Sequence, residues 1–395
     1  MELKNAVIVA YGRSGIAKAI KGSLRFTGCA DFGTQVLKGI LAKYPNFNPE
    51  WAEDLICGCA IPEAEQGLNI GRILADSSGF PLTTAGQTVN RFCSSGLQSI
   101  ATAANAIMAG QAKCIVAGGI ENMSKVQMHN VAIIPDTASF SVYPDNFTTM
   151  GNTAENVAAK CGISRQRQDE FSYGSHLKAN AAIKAGHFVD EIVPIKAKLP
   201  AVKEDGSPGY EEVIFDKDEC PRPDISIEAL AKLKPLFRMG GTVTAGNSSQ
   251  MNDGAAFVIL MEEEFAKECG MKPIARFKSF AVRGVHPGYM GLGPVEAIPK
   301  ALEIAGLTLS DIELIELNEA FASQSLACID ALSLNPEIVN VNGGGIAFGH
   351  PLGCTGAYLT MKLIGELKRR GQHLGLVSMC IGGGMGAAGI FEVLD

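Results

Sequence analysis

Cys114-Ile-Val-Ala-Gly-Gly119 and Leu376-Val-Ser-Met-Cys-Ile-Gly-Gly383 are two stretches with the same pattern, one in each half of the chain. Each is a short apolar run typical of a buried strand, and each ends in paired glycines typical of a turn. The elements around them also match in order: a strand, a turn with a candidate catalytic residue, a helix, a second strand and a Gly-Gly turn. We therefore interpret the chain as a duplicated α/β unit.

Outward from these stretches, short apolar runs alternate with longer segments of helical spacing, beginning with a strand in each half. In the first half the predicted elements are Ala6–Ala10, Phe32–Tyr44, Leu55–Cys59, Gln66–Ser77, Thr88–Phe92, Leu97–Ala109 and Cys114–Ala117. In the second half they are Pro273–Phe280, Pro294–Ala305, Ile312–Leu317, Ala320–Leu332, Val339–Val341, Gly353–Arg369, Leu374–Met379 and Gly389–Val393. This alternation predicts an α/β fold with mostly parallel strands.

The region from Glu121 to about Gln250 breaks this rhythm. It contains charged helical segments at Asn152–Cys161 and Arg165–Gly186, with Lys/Glu-rich connections and few strand-like runs. The strand pattern returns at Ala255–Met261. Insertions of this size often cover an active site. We therefore expect three parts: residues 1–120 with 250–270 as the first α/β half, 121–249 as an inserted loop domain, and 271–395 as the second half.

The composition limits the partners and the compartment. The 395 residues carry a formal net charge of −7, and the sequence pI is about 5.5. This acidity argues against nucleic acid as the main partner, because phosphate binding needs a basic face. A local basic patch could still hold a small phosphorylated cofactor. No signal peptide and no apolar run of membrane-spanning length is visible, so we expect a cytoplasmic protein without membrane insertion.

Eleven cysteines, an odd number, are scattered along the chain and lie mostly in apolar runs. This pattern is typical of reduced thiols rather than of a disulfide framework. Cys57-Gly-Cys59 lacks a second pair at metal-site spacing, and the six histidines are scattered. We therefore expect no metal site.

One cysteine differs from the others by its position. Cys93 lies in Val89-Asn-Arg-Phe-Cys-Ser-Ser-Gly96, where a predicted strand ends at Phe92 and small residues open a predicted helix. The N–H groups and the dipole of a helix N-terminus lower the pKa of a thiol and make it a nucleophile at neutral pH. The alternative is a buried structural cysteine, an interpretation that fits most of the other ten.

Two polar groups follow predicted strands of the second half. His350 ends the turn Gly343-Gly-Gly-Ile-Ala-Phe-Gly349 and precedes Pro351, a setting that places its imidazole at the mouth of the sheet. A histidine beside a cysteine can take the thiol proton, although a lone histidine is more often structural. Asn318, in Asn318-Glu-Ala-Phe321, is either a helix N-cap or an amide that holds a water or a carbonyl oxygen, with Glu319 orienting its neighbours.

A second candidate thiol, Cys380, begins Cys380-Ile-Gly-Gly-Gly-Met-Gly386. The glycine N–H groups there can point at a developing oxyanion. The alternative is again a structural cysteine, here beside glycines. Two thiols, a histidine and an amide together suit acyl transfer through a thioester, although none of the four is specific alone.

Six motifs together resemble the thiolases, and the likeness covers essentially the full length of the chain. The motifs are Val89-Asn-Arg-Phe-Cys-Ser-Ser-Gly96, Gly118-Gly-Ile-Glu-Asn-Met-Ser124, Thr242-Val-Thr-Ala-Gly-Asn-Ser-Ser249, Asn318-Glu-Ala-Phe-Ala322, Gly344-Gly-Ile-Ala-Phe-Gly-His-Pro-Leu-Gly-Cys-Thr-Gly-Ala357 and Cys380-Ile-Gly-Gly-Gly-Met-Gly386. The resemblance implies a duplicated thiolase fold. Its two α/β halves would pack in alternating helix and sheet layers, with a loop domain inserted in the first.

The resemblance also implies roles for individual residues. Cys93 would be the acylated nucleophile and His350 its activating base, while Cys380 would move the proton at the α-carbon of the acetyl group. His350 and a water held by Asn318 would form one oxyanion hole, and the N–H groups of Cys93 and Gly382 the other. Coenzyme A and acyl-CoA, including acetyl-CoA, would be substrates, with no permanently bound cofactor. The residues that would line the coenzyme A site are Arg222, Phe237, Ser249, Met150 and Phe321.

Some stretches separate the subgroups of the family. Arg13-Ser-Gly-Ile-Ala17 replaces the common Arg-Thr-Pro-Ile/Phe-Gly pattern, so the local turn is expected to differ. Thr149 stands where biosynthetic acetoacetyl-CoA thiolases usually carry histidine, and the segment between Met123 and Met150 is shorter than in those enzymes. Two stretches look more like the degradative 3-ketoacyl-CoA thiolases of fatty acid β-oxidation: Glu65–Ile70 and Phe188–Pro194. We expect cleavage of 3-ketoacyl-CoA, with condensation of two acetyl-CoA molecules as the alternative.

Other functions remain as weaker alternatives. A decarboxylating ketoacyl synthase of the same superfamily has no second cysteine at the position of Cys380, which argues against that reading. Retention of both thiols, the histidine and the asparagine argues against a non-catalytic lipid or coenzyme A carrier. The resemblance implies a homo-oligomer, and the short loop before Met150 favours a homodimer over a homotetramer. The sequence leaves the acyl chain length open.

Overall fold

The computed structural model describes residues 3–128 and 134–394. Its strands are β1 (Ala6–Arg13), β2 (Ala17–Lys18), β3 (Asp54–Gly58), β4 (Ala85–Val89), β5 (Cys114–Asn122), β6 (Ile195–Val202), β7 (Pro208–Phe215), β8 (Asn252–Glu262), β9 (Ala275–Gly284), β10 (Leu314–Leu317), β11 (Leu374–Ile381) and β12 (Met385–Val393). Its helices are α1 (Cys29–Lys43), α2 (Ile70–Ser78), α3 (Ser95–Met108), α4 (Thr137–Val142), α5 (Met150–Cys161), α6 (Arg165–Lys184), α7 (Ile227–Ala231), α8 (Glu263–Glu268), α9 (Gly293–Ala305), α10 (Ala322–Leu332), α11 (Gly345–Phe348) and α12 (Leu352–Arg370).

A mixed sheet runs through the molecule in the order β10-β11-β12-β9-β1-β8-β5-β3-β4, with β2 beside β8. The pairs β3–β4, β3–β5 and β10–β11 are parallel, and the other described pairs of this sheet are antiparallel. The prediction of mostly parallel strands is therefore wrong. Parallel pairs form where a helix crosses between strands, whereas β11 and β12 are joined by a short glycine turn.

The duplication and the layered packing expected from the sequence are confirmed. Apolar residues of α3 and α12 share one core with residues from both halves of the sheet, so these two helices form a central layer. The outer face of the first half packs on α1 and α2, and that of the second packs on α9 and α10. The two half-sheets meet at only two residue pairs of β1 and β9, Val7–Arg276 and Ile8–Ala275.

Two elements differ from the sequence expectation. Val339–Val341 is not a strand: Val339 makes a single bridge to Ile315, and Asn340 takes a left-handed φ of 47°. The hairpin of β6 and β7 was missed, because its outward residues are the charged ones that resemble a loop. Ile195 and Ala197 are buried while Lys196 between them is exposed, which is the alternation of a half-buried strand.

Helix α12 begins directly after Pro351 and ends at Gly371, which adopts a left-handed φ of 63°. Nearly all of its residues before the last turn are buried, and Lys368, Arg369 and Arg370 occupy that last turn. The helix therefore runs through the centre of the molecule, and its N-terminus lies next to His350. No helix in the described part of the chain is long and apolar enough to cross a membrane.

Candidate active site

Cys93 lies on a sharp turn between β4 and α3. The strand ends at Val89, three residues before the predicted Phe92, and Phe92–Ser94 form a short 3₁₀ turn. Phe92 has a φ of +43°, a strained value for a bulky residue. Ser95 Oγ accepts from the N–H of Arg91 at 2.9 Å and donates to the Phe92 carbonyl at 2.7 Å. These bonds hold the cysteine at the start of the helix.

The resting state of Cys93 is a neutral thiol. The residue is only 6 % exposed, and burial raises its pKa to about 11, although the N–H groups of Gly382 and of Cys93 itself act in the opposite direction. The expectation of a lowered thiol pKa is therefore wrong, because desolvation of the thiolate outweighs the donors at the helix start. Nucleophilic attack at neutral pH then requires a base.

His350 is the candidate for this base that the family resemblance implies. Its backbone N–H donates to Asn252 Oδ1 at 2.9 Å, and its Nδ1 lies 2.6 Å from Thr355 Oγ1, whose hydroxyl donates to the Pro351 carbonyl at 2.8 Å. Because that hydroxyl proton is already used, Nδ1 carries the ring proton and Nε2 is unprotonated and acts as an acceptor. Burial lowers the pKa of His350 to about 4, so the imidazole is neutral at pH 7.

The turn before His350 depends on a glycine. Gly349 has a φ of +102°, and a Cβ there would lie 2.1 Å from Asn252 Oδ1. Only glycine therefore allows Asn252 to reach the His350 backbone.

Asn318 lies beside Nε2 of His350, the ring nitrogen that carries no proton. Its Nδ2 is 3.4 Å from His350 Nε2, and its side-chain oxygen is buried without a hydrogen-bond partner among the described residues. That oxygen is free to accept from a water, which fits the role implied by the family resemblance. Glu319 orients the surroundings as expected, since it accepts from Ser175 Oγ at 2.6 Å and Asn340 Nδ2 at 2.9 Å.

Cys380 lies near the end of β11, fully buried. It precedes the turn in which Gly383 and Gly384 have φ values of 77° and 79°. Burial raises the pKa of its thiol well above the usual value, and a negative charge on Cys93 raises it further. A thiolate at Cys380, expected for the proton transfer, is therefore not the resting state.

Three of the five residues expected to line the coenzyme A site are joined to one another or to Cys380, and a fourth, Ser249, bonds to another residue of the same cluster. Met150 and Phe321 pack in the same apolar cluster as Cys380. The rings of Phe237 and Phe321 meet edge to face with centroids 6.2 Å apart, and the Ser249 N–H donates to the Ala320 carbonyl at 2.9 Å.

Arg222 is not joined to this group by any contact between described residues. Its backbone N–H donates to His176 Nδ1 at 3.1 Å, and its carbonyl accepts from Asn180 Nδ2 at 2.9 Å. The residue is exposed, and its guanidinium takes part in none of the ion pairs found among residues 3–128 and 134–394. It stands on the surface beside α6 with its charge unpaired.

Sequence reasoning missed three residues that shape the site. Asn252 and Thr355 hold His350, and Glu121 holds the first turn of α12 through the Gly353 N–H at 2.7 Å. The sequence did contain one signal for two of them, a charged or polar residue inside an apolar run. Glu121 and Asn252 both lie on fully buried strands. Such a residue needs partners, but the sequence does not show which ones.

Arg13, the first residue of the stretch Arg13–Ala17 and one that keeps the family pattern, is a buried structural anchor. Its guanidinium pairs with Glu191 at 2.8 Å and with Asp218 at 2.7 Å. The candidate site thus contains a buried thiol, a neutral imidazole, an amide and a second thiol. Within the described ranges no group of three or more His, Cys, Asp or Glu side chains is placed to hold a metal ion.

Comparison with known proteins gives matches over nearly the whole chain. A family model described as the thiolase N-terminal domain matches residues 6–264, and one described as the thiolase C-terminal domain matches residues 271–393. A protein named 3-ketoacyl-CoA thiolase from Bacillus subtilis is 51 % identical over 391 residues, which cover 99 % of this chain and 100 % of the relative.

A plant relative and a solved structure extend these matches. The 3-ketoacyl-CoA thiolase 2, peroxisomal, of Arabidopsis thaliana is 44 % identical over 98 % of this chain and 84 % of its own length. The crystal structure of an acetyl-CoA acetyltransferase from Bacillus anthracis superposes with a TM-score of 0.89 at 42 % identity, covering all of both chains.

Proposed function

The chain belongs to the thiolase family, and from that premise we propose that it cleaves 3-ketoacyl-CoA into acetyl-CoA and a shortened acyl-CoA through an acyl group carried on Cys93. As a thiolase it is an acyltransferase. The observation that carries the proposal is a set of buried groups: a neutral thiol at the start of α3, an imidazole with an unprotonated Nε2 at the start of α12, and a second thiol near the end of β11. The relatives named 3-ketoacyl-CoA thiolase support the direction of cleavage.

In the first step, His350 Nε2 takes the proton of Cys93, and the sulfur attacks the 3-keto carbon of the substrate. The N–H groups of Gly382 and Cys93 point at this sulfur, and they are placed to stabilise the oxyanion that forms beside it. Burial opposes the separate charges of a thiolate and an imidazolium, since it raises the pKa of Cys93 and lowers that of His350. Transfer of the proton is therefore expected to accompany the attack of the sulfur on the substrate.

In the second step, the bond between the α-carbon and the former keto carbon breaks, and acetyl-CoA leaves as its enolate. Cys380 donates its thiol proton to the α-carbon. The Nε2–H of His350, with a water held by Asn318, stabilises the enolate oxygen. Coenzyme A then gives its thiol proton to the Cys380 thiolate and attacks the acyl-Cys93 thioester. The Cys93 sulfur leaves and takes back the proton held by His350, and the shortened acyl-CoA is released. No resident cofactor is required for any of these steps.

Condensation of two acetyl-CoA molecules is the alternative, and the likeness to a protein titled acetyl-CoA acetyltransferase favours it. Thiolysis rates measured on acetoacetyl-CoA and on a series of longer 3-ketoacyl-CoA substrates test the choice. We expect activity on the longer substrates. Activity confined to acetoacetyl-CoA would favour the biosynthetic role.

We propose that residues 121–249 form a loop domain inserted in the first half, which consists of residues 1–120 and 250–270, and that residues 271–395 form the second half. The coenzyme A site is proposed to lie under this loop domain. This insertion supplies Met150, Phe237, Ser249 and the unpaired charge of Arg222, and the second half supplies Phe321.

Arg222→Gln should raise KM for coenzyme A about tenfold with little change in kcat, because a phosphate loses one charged partner. The matched control is Lys203→Gln, an exposed cation on the β6–β7 hairpin. A collapse of kcat at unchanged KM would contradict this role.

We also propose that the protein is a cytoplasmic homodimer. Strand β4 lies at one end of the sheet and is half-exposed along its length. Leu82 just before it is 82 % exposed, and Phe92 just after it is 46 % exposed. A strand edge flanked by apolar side chains is a surface that a second copy can cover. Light scattering of the purified chain tests the dimer.

A further inference from the structure

Glu121 is a fully buried carboxylate that the proposed chemistry does not use. One oxygen accepts from the Gly353 N–H at 2.7 Å and from the Ala60 N–H at 2.8 Å. The other accepts from the Ile61 N–H at 3.3 Å and from the side-chain amide of Gln66. Burial raises the pKa of this carboxyl above its ordinary value, and the N–H donors around it act in the opposite direction and favour the ionised form.

These bonds join the two halves of the site. Gly353 lies in the first turn of α12, three residues after His350, whereas Ala60 and Ile61 follow β3 in the first half. The helix start is also packed with no free space: a Cβ on Gly353 would lie 2.5 Å from the Ile120 carbonyl oxygen, and one on Gly96 would lie 2.6 Å from the Gly353 carbonyl oxygen. Gly96 is three residues after Cys93, so the two helix starts fix each other.

Glu121 also bears on the nucleophile through its charge. The titratable groups that act on Cys93 are Glu121 on β5 and Cys380 on β11, with His350 at the start of α12 as the proposed base. A negative charge on Glu121 opposes ionisation of the Cys93 thiol. The other titratable groups around Glu121 are thiols of raised pKa: Cys29, Cys57, Cys59 and Cys354.

We propose that Glu121 is a positioning residue that sets His350 against Cys93 by holding the first turn of α12, and that its carboxylate acts on Cys93 from the same place through its charge. The inference rests on the proposed function for its catalytic part. It gives Glu121 two separable effects, one of position and one of charge.

Two variants separate these effects. Glu121→Asp keeps the charge but withdraws the carboxylate from Gly353, and Glu121→Gln removes the charge and places an N–H against at least one donor. The control is Glu366→Gln, which alters another buried carboxylate of α12 that accepts from Asn342, Arg369 and Arg370. The measurements are acetylation of Cys93 by acetyl-CoA, followed by mass spectrometry, and the pH midpoint of Cys93 alkylation by iodoacetamide.

We expect both Glu121 variants to slow acetylation by about 10²-fold, the cost of misplacing a catalytic group by roughly 1 Å. The alkylation midpoint should stay near the wild-type value in Glu121→Asp and fall in Glu121→Gln, so the thiol of Glu121→Gln ionises more easily yet reacts more slowly with acetyl-CoA. A merely structural carboxylate would not produce this split.

Three results would overturn the inference: an unchanged midpoint in Glu121→Gln, unchanged acetylation in Glu121→Asp, or the same losses in Glu366→Gln. Either Glu121 variant tests the proposal if the other fails to fold. Failure of the wild-type protein to form acetyl-Cys93 would refute the proposed function instead, and the alkylation midpoints would still test the charge effect of Glu121.

Discussion

Cys93 and Cys380 face the same site from different halves of the molecule, yet their surroundings differ. Cys93 begins a helix, and two N–H groups point at its sulfur, so burial raises its pKa only to about 11. Cys380 lies inside a strand, where burial raises its pKa well above the usual value, a charge on Cys93 raises it further, and its own N–H acts in the opposite direction.

This difference separates the roles of two chemically identical side chains. The thiol with two donors ionises more readily and is suited to attack carbon. The thiol without them holds its proton until an enolate forms nearby to receive it. Burial is the largest cause for both thiols, and the second backbone donor at Cys93 and the charge that can form beside Cys380 account for the difference between them.

The strongest test replaces the nucleophile. Cys93→Ala should lower thiolysis by roughly 10⁴- to 10⁶-fold, as expected when a catalytic nucleophile is removed. Incubation of the wild type with acetyl-CoA, in the absence of free coenzyme A, should add an acetyl group to the peptide that contains Cys93. Acetylation found only on another cysteine would reverse the assignment of the two thiols.

Replacement of the second thiol should affect one step and spare the other. Cys380→Ala and Cys380→Ser should lower carbon–carbon bond formation and cleavage by roughly 10²- to 10⁴-fold, the range of a lost acid or base. Both variants should still accept an acetyl group on Cys93, because acylation needs no proton at the α-carbon. Near-normal thiolysis by Cys380→Ala would revive the reading as a decarboxylating synthase.

The donor that distinguishes the two thiols can be removed alone. Gly382→Pro deletes the N–H that points at Cys93 and should slow acylation by roughly 10²- to 10³-fold, the cost of losing one oxyanion donor. Gly382→Ala is the matched control, since a Cβ there would first meet the flexible Met150 Sδ at 3.3 Å. The alkylation midpoint of Cys93 should rise in the proline variant only. Equal behaviour of both variants would show that the donor does not set the thiol pKa.

The smallest expected effect concerns the base that serves Cys93. Because the pKa of His350 is lowered to about 4, wild-type acylation should be constant near neutral pH and fall as the pH drops through about 4, where the imidazole becomes protonated. Thr355→Val removes the acceptor for Nδ1–H and should reduce the plateau about two- to tenfold, the value of one net hydrogen bond.

The acid limb should then shift to lower pH, because the imidazolium loses the partner that stabilises it. Thr360→Val, one turn later on α12, is the control: its hydroxyl donates to the Gly356 carbonyl at 2.8 Å and makes no contact with His350. An equal loss in both variants would assign the effect to helix stability.

Much of this site can be predicted from the sequence. The apolar runs, the glycine turns and the positions of Cys93, His350 and Cys380 follow from local patterns, because strand ends and helix starts are local features. The thiol pKa could not be predicted, since burial depends on how the two halves pack. Glu121 and Thr355 were missed for the same reason: the atoms they bond become neighbours only in the folded chain.

Strand β8 lies between β1 and β5 and pairs with both. Synthesis of the chain must therefore pass Glu262 before a strand that begins at Ala6 receives this partner. Until then the nascent chain exposes the edges of β1 and β5, whose residues are all buried in the finished protein. Closing so long a loop is slow, and apolar edges left open invite aggregation. We expect ribosome-bound chains that stop before β8 to require chaperones to stay soluble, and chains that extend past it to become resistant to proteases.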